Sequence, residues 1–216
     1  MLEKMSAFFE ARLSGYDEHM LNEIDSAREF YPFTAKKLPQ EKNCRILDLG
    51  CGTGLELEFY LKQNPTAKIT GIDLSQGMLE ALKAKLSAYD ITLLQGSYFA
   101  LPLGENGYDA AVSVESLHHF TKDEKIPLYQ KLHRALKKGG YFILTDYFAA
   151  SDQDEILFRS TYETLKQEQG ICDHECYHYD TPLTVAHEIE ALQTAGFSSV
   201  EILSSWGSTY TLKAHT

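Results

Sequence analysis

No apolar run in this chain approaches the ~18 residues that would span a bilayer. Positive charge is also scarce: 20 Lys and Arg stand against 31 Asp and Glu, a formal net charge of −11. Binding a polyanion needs a concentrated basic surface. The densest basic groups here are Lys36-Lys37, Lys83 with Lys85, and Lys137-Lys138. Each reads as an exposed helix face or a helix C-terminus, where cations suit the macrodipole. The expectation is no nucleic acid and no membrane as partner. Cysteine is sparse, at Cys44, Cys51, Cys172 and Cys176. The N-terminal MLEKMSAFFEARLSGYDEHM carries acids throughout and has no small-residue cleavage site, so no signal peptide is expected. With no secretory context to oxidise them, the cysteines are expected to be reduced and the protein cytoplasmic. There is no Pro/Gly/Ser linker, low-complexity tract or repeat either.

What is present is ordinary globular composition, 44% hydrophobic and 24% charged over 216 residues, enough for one sizeable core. The first forty-odd residues place apolar side chains at helical spacing (Met5, Phe8, Phe9, Leu13; then Met20, Leu21, Ile24) and predict two or three short helices. Tyr31-Pro32 suggests a fresh helix start. From Cys44 onward short apolar runs alternate with amphipathic stretches. Strands are predicted at Arg45–Leu49, Lys68–Ile72, Thr92–Gln95, Asp109–Val114 and Tyr141–Asp146, with helices starting near Thr53, Ser75 and Lys122. That alternation implies right-handed crossovers and a parallel sheet covered on both faces. Lys137 to Gly140 reads as a basic helix end with a glycine cap. Helical periodicity then covers Asp152 to Gln169 and Pro182 to Ala195, followed by two strands, Ser199–Leu203 and Thr209–Ala214, around Gly207. The expected fold is a single doubly wound α/β domain with a mostly parallel seven-stranded sheet. Its C-terminal hairpin supplies an antiparallel strand, and residues 1–43 form a helical N-terminal cap. Residues 44–147 are its core, 148–182 a helical insertion or lid, and 183–216 the last helix and hairpin.

The run ILDLGCGTG, Ile46 to Gly54, is an apolar strand ending in a glycine-rich turn that opens a helix. Gly50, Gly52 and Gly54 let the backbone turn sharply and approach a ligand closely. A dinucleotide fingerprint would be G-x-G-x-x-G; Leu55 stands where its last glycine belongs. Asp48, inside the strand, suits a cationic ligand better than a pyrophosphate. Asp73, nineteen residues past Gly54, is placed to accept both hydroxyls of a ribose, or to act as a helix N-cap, a role Ser75 fills equally well. A ribose joined to a positively charged, non-phosphate group describes S-adenosylmethionine (SAM).

Together ILDLGCGTG, GIDLS, LHHF and LKKGGYFILTDY closely resemble the motif series of small bacterial class I SAM-dependent methyltransferases, over Cys44 to about Tyr147. The resemblance extends more weakly through YHYDTPLT and the final hairpin. It implies a Rossmann-like core with SAM as cofactor. Gly50, Cys51 and Gly52 would lie under the methionine part, with Asp48 near its ammonium. Asp73 would hold the ribose, with Leu74 and Met78 flanking the adenine. Ser97 and Tyr98 would sit at the tip of the third strand, serine being a departure where relatives often carry an acid. Glu115 follows at the end of the fourth strand.

In open α/β sheets ligands sit beyond the carboxyl ends of the strands. There the fourth strand delivers His118 and His119 and the fifth delivers Asp146 and Tyr147, which are the candidate catalytic groups. Tyr16 and His19, in GYDEHM, read either as a lid closing over the cofactor or as a simple helix entry capped by Asp17. In ICDHECYHYD, Cys172, His174, Cys176, His178 and Asp180 recur every second residue. Ligands two apart on one strand would strain it in converging on one ion, so no metal is expected there; His178 with Tyr179 reads as part of an acceptor pocket. The expected activity is methyl transfer to a small molecule, with a homodimer possible. The alternatives are a SAM-using enzyme that does not methylate, of the carboxy-SAM synthase kind, or a SAM-sensing module. The former needs an extra cation, for which Arg28 is the one candidate.

Overall fold

In the computed structural model, residues 1–172 and 175–216 are described; His174 of the Cys/His alternation therefore lies outside them. Three helices come first: α1 (Met5–Arg12), α2 (Tyr16–Glu23) and α3 (Ala27–Lys37). Strands and helices then alternate as β1 (Arg45–Leu49), α4 (Leu55–Gln63), β2 (Lys68–Asp73), α5 (Gln76–Lys85), β3 (Asp90–Gln95), β4 (Tyr108–Val114), α6 (Lys122–Ala135) and β5 (Leu136–Tyr147). The chain finishes with α7 (Asp152–Glu168), α8 (Val185–Thr194), β6 (Ser199–Trp206) and β7 (Thr209–His215). Among the described residues these strands form one seven-stranded sheet of order β3-β2-β1-β4-β5-β7-β6. All pairings from β3 to β5 are parallel, and β7 runs antiparallel to both its neighbours. The doubly wound, Rossmann-like architecture with an antiparallel C-terminal hairpin strand is thus as the sequence implied.

Local chemistry explains the helix starts. Ser75, Thr121, Ser151 and Thr184 each accept the N–H of the third helical residue, and Thr121 with Glu124 completes a capping box. Of the boundaries that differ from expectation, three have a clear local cause. The helix carrying Pro32 begins at Ala27, so the proline sits mid-helix and not in the first turn. The last helix begins at Val185, because Thr184 and not Pro182 supplies the cap. Lys137 to Gly140 belongs to β5: α6 stops at Ala135, and the register against β4 shifts between Tyr108 and Ala110 where Gly139 turns with φ +80°.

Two apolar layers cover the sheet. One packs Tyr129, Leu132, Phe142, Leu192 and Leu212 beneath α6 and α8; the other packs Phe30, Tyr31, Tyr60, Ile46 and Leu82 beneath α3, α4 and α5. Between α6 and α8 a wholly buried ion pair joins Lys125 to Glu188 at 2.6 Å, and the Tyr129 hydroxyl donates to the same carboxylate. All four cysteines are free thiols. Among the described residues no helix is long and apolar enough to cross a membrane.

Candidate functional site

The crossovers lead to opposite faces on either side of the β1–β4 pair, so the carboxyl ends of these strands open a crevice. β1 ends in the glycine turn. Gly50 and Cys51 donate their N–H groups to the Ile72 carbonyl at 2.8 and 3.1 Å, tying the turn to β2. Gly50, at φ +75°, also faces the end of β4, where a β-carbon would lie 2.0 Å from Ser116 Oγ. Gly52 is the opposite case: a β-carbon there would meet nothing within 4 Å, because this glycine lines a cavity.

That cavity is small, about 50 Å³, and is walled by Met5, Phe9, Tyr16, Gly50, Gly52, Asp73, Leu74, Met78, Tyr98, Val114, Glu115, Ser116 and His119. Asp73 accepts the Gly52 N–H and the Ser75 N–H, each at 2.9 Å, so its carboxylate is pre-set between the glycine turn and α5. Burial raises it above the usual carboxylate range, and these backbone donors oppose the rise. Tyr98 hydrogen-bonds to Ser116 at 3.2 Å. Asp48, Cys51 and Ser97 stand behind the wall. The Cys51 thiol fills the space over Gly71 of β2, and Ser97 Oγ accepts the Phe99 N–H at 3.2 Å.

Asp48 is fully buried, and neither carboxylate oxygen finds a hydrogen-bond donor. Burial first, then the charge of buried Glu56 in the first turn of α4 and a proton held between the two carboxyls, push Asp48 well above its usual range. An orphaned buried carboxyl directly before a ligand-lining glycine turn fits a cationic ligand, which would remove the cost of ionising it. The residues present therefore fit SAM: an acid for the cationic end, an acid for the ribose, and Leu74 and Met78 for an apolar ring.

A second cavity, about 1140 Å³, adjoins the first across Phe9, Tyr16, Glu115 and His119, which line both. His118, Tyr147, His178 and Asp180 face into it, as do Phe8, Arg12, His19 and Trp206. Asp146 does not. It is buried at the end of β5, with Oδ1 2.5 Å from His118 Nδ1 and Oδ2 accepting the Leu117 N–H at 2.9 Å. Asp180 approaches from the opposite side, its Oδ1 3.5 Å from His118 Nε2 and 3.2 Å from His119 Nδ1. Burial alone would lower His118, but these two carboxylates hold it well above the usual imidazole range. Burial and the neighbouring His118 depress His119, which is neutral. Burial brings His178 down to about 4. Glu115, in left-handed backbone (φ +49°), is pushed up to about 8 by burial and by Asp146, opposed by His118.

The first helix and the stretch from Cys176 to His178 meet beside this site. Met5 N–H donates to the Cys176 carbonyl at 2.8 Å and His178 N–H to the Glu3 carbonyl at 2.9 Å. Phe8 stacks on His178 with ring centroids 3.5 Å apart. Glu10 caps α5 through Ser75 Oγ (2.6 Å) and the Gly77 N–H (3.2 Å). Asp17 is no N-cap: Gly15 precedes α2, and the Asp17 carboxylate instead binds Thr53 and Lys85. Sequence reasoning missed Met5, Phe9 and Glu10, whose roles depend on how the first helix folds back over the sheet. The capping pattern of Ser75 was the one local signal, and it did not point to Glu10.

Residues 46–140 match the family model for a methyltransferase domain. The chain carries a methyltransferase domain over that stretch. It is similar to demethylmenaquinone methyltransferase of Lactococcus lactis, 32% identical over 64% of this chain and 56% of that protein. It is also similar to carboxy-S-adenosyl-L-methionine synthase of Nitratiruptor sp., 24% identical over 99% of this chain and 94% of that protein. The chain spans between 22% and 56% of the length of the curated relatives it matches first. In fold it is similar to the solved SAM-dependent methyltransferase of Mesorhizobium loti, with a TM-score of 0.61 and 21% identity over 86% of this chain and 96% of that one. The glycine turn, Asp48 and Asp73 are the groups of this chain that suit SAM.

Proposed function

We propose that this protein transfers the methyl group of SAM to a small molecule held in the larger cavity. The observation that carries this reading is the adjacency of the two cavities, one built for a cationic nucleoside and the other roomy, across a wall of four side chains. Bound SAM supplies an activated methyl sulfonium, so the protein's work is positioning and exclusion of water. Gly50 and Gly52 admit the methionine part with Asp48 as its buried counter-charge, while Asp73 takes the ribose. Leu74, Met78 and Tyr98 surround the base, and Cys51 and Ser97 support the turns beneath it. Tyr16 and Glu115 stand between cofactor and acceptor. His118, His119, Tyr147 and His178 meet the acceptor; Asp146 acts through His118 as a positioning residue. Residues 1–43 and 148–182 serve as cap and lid over a core of 44–147, and 183–216 completes the sheet. An acceptor of modest size suits a chain whose acids outnumber its bases, 31 to 20.

Calorimetry tests the cofactor. Wild-type protein is expected to bind SAM, and Asp73→Ala to weaken it about 100-fold, the worth of two hydrogen bonds to a charged group. A wild-type chain that does not bind SAM overturns the reading.

The near full-length similarity to a carboxy-SAM synthase favours a second reading, in which SAM itself is altered. The cation such chemistry needs is not supplied by Arg28, which is exposed and bound to Asn22 at 2.5 Å. Arg12 faces the large cavity, but it is paired with Glu3 at 3.1 Å and lies over the Phe8 ring. Mass spectrometry separates the readings: label moving from SAM methyl to an extract component supports transfer, whereas a mass gain on SAM supports the alternative. Tight binding with neither outcome supports a sensing module.

A further inference from the structure

The acids and imidazoles of the larger cavity do more than line it. His118, His119 and Asp180 each offer one ligand atom, and the three atoms lie within 4.8 Å of one another. We propose that these three side chains form a binding site for a divalent cation of the zinc class, opening onto the larger cavity.

The spacing suits an ion. Zinc sits about 2.0–2.2 Å from imidazole nitrogen and carboxylate oxygen, which puts neighbouring ligand atoms about 3–3.5 Å apart. Asp180 Oδ1 lies 3.5 Å from His118 Nε2 and 3.2 Å from His119 Nδ1. The surroundings suit one as well. A metal-bound imidazole characteristically gives its other nitrogen to a carboxylate, which fixes the ring and its tautomer. Asp146 does this for His118: its Oδ1 holds Nδ1 at 2.5 Å, leaving Nε2 as the coordinating atom. Asp146 is in turn fixed by the Leu117 and Tyr147 N–H groups at 2.9 and 3.0 Å. The loop bearing Asp180 is pinned beside His118 by a hydrogen bond from the Thr181 N–H to the His118 carbonyl at 2.9 Å. The Tyr179 carbonyl, 3.2 Å from His119 Nδ1, is a competing partner that the ion would displace.

A second set, Glu115, His118 and Asp146, meets the same distance limit. Its Asp146 is already committed to the other nitrogen of His118, so the set facing the cavity is the better site. Two imidazoles and one carboxylate leave coordination positions open, as catalytic metal sites do and closed structural sites do not. All three ligand residues line the space assigned to the acceptor, from which a group completing the shell would come. The ligand they favour is therefore an acceptor with an anionic oxygen, such as a carboxylate, enolate or phenolate, held by the ion beside the shared wall. This last point rests on the methyl-transfer reading; binding of the ion does not. None of this was visible in the alternating Cys/His stretch, since two of the three ligands come from LHHF, about sixty residues earlier in the chain.

The test is titration of the untagged, metal-stripped full chain with CoCl₂, followed by the visible absorption of the bound ion, and with ZnCl₂ by calorimetry. One ion per chain is expected. Asp180→Ala, which alters a half-exposed side chain, is expected to weaken binding at least 100-fold. Asp146→Asn is expected to weaken it 10- to 100-fold, and Glu190→Gln on the surface to leave it unchanged. No stoichiometric binding by the wild-type chain, or equal affinity in Asp180→Ala, overturns the proposal. SAM calorimetry on the same samples keeps the two ideas apart. A chain that binds SAM and no metal refutes this site alone; one that binds metal and no SAM refutes the cofactor reading alone.

Discussion

Glu188 and Asp48 are both buried carboxylates, and the protein treats them in opposite ways. Glu188, between α6 and α8, has an ammonium 2.6 Å from one oxygen and a tyrosine hydroxyl on the other. Asp48, at the end of β1, has no donor for either oxygen and a second buried acid, Glu56, nearby. A satisfied buried charge fixes how two helices pack. An unsatisfied one costs stability wherever it ionises, and a fold tolerates that where the cost is recovered on binding a ligand. The contrast separates framework from site without reference to any relative.

Breaking the satisfied member has the largest expected effect. Lys125→Met strands Glu188, and removing one partner of a buried pair costs about 3–5 kcal/mol. Thermal denaturation should show a fall of roughly 6–20 °C for a chain of this size. Adding Glu188→Leu to that variant replaces the pair by apolar volume and should recover most of the loss. If the double variant melts as low as the single one, the pair does more than satisfy itself.

The unsatisfied member should behave the other way round. Asp48→Asn removes a buried acid with no partner, so the ligand-free protein should gain about 1 kcal/mol, or roughly 2–4 °C. Its affinity for SAM should fall about 10-fold, the counter-charge being gone. A variant that loses stability would show that Asp48 is structural after all. The pH dependence sharpens this. Because the folded-state pKa of Asp48 is raised, the folded chain holds a proton that the unfolded chain releases at the ordinary value of about 4. The Asp48 contribution therefore falls as pH rises from there and levels off above the raised folded value. Denaturant titrations should find the stability gap between Asp48→Asn and wild type widening over that interval.

Asp109 offers the smallest effect and a useful control. It is a surface acid held 2.7 Å from Lys137 and 2.7 Å from the Arg45 N–H, and these contacts keep it below its usual pKa despite partial burial. Its stabilisation is present above the unfolded carboxylate pKa and is lost as pH falls through the depressed value, the reverse of Asp48. Asp109→Asn should cost less than about 1 kcal/mol in denaturant unfolding at neutral pH.

Much of this molecule could be read from its residues because the decisive signals are local. β1 was placed to the residue, since Arg45 to Leu49 is an apolar run closed by a glycine turn. The antiparallel hairpin followed from two apolar segments around Gly207. Pro32 misled because tertiary packing of Phe30 and Tyr31 keeps a helix running through a residue that usually starts one. Lys137 to Gly140 misled because a sheet register, not a cap, decides where α6 ends. At the site, residues on strand ends were accessible to reasoning, for a doubly wound sheet brings those ends together. Phe9, Glu10 and Asp180 were not assigned such roles, because their positions depend on the first ten residues pairing with Cys176 to His178, a contact across more than 160 residues.

The common wall of Phe9, Tyr16, Glu115 and His119 has a kinetic consequence. About 50 Å³ is too little for a nucleoside, so on the methyl-transfer reading proposed above Phe9 and Tyr16 would have to swing toward the outer chamber for the inner one to fill. An acceptor already seated in the outer chamber would block that swing. On that reading the expected kinetic signature is an ordered mechanism, nucleoside first and spent nucleoside last. The helices that roof the chambers thereby act as a turnstile.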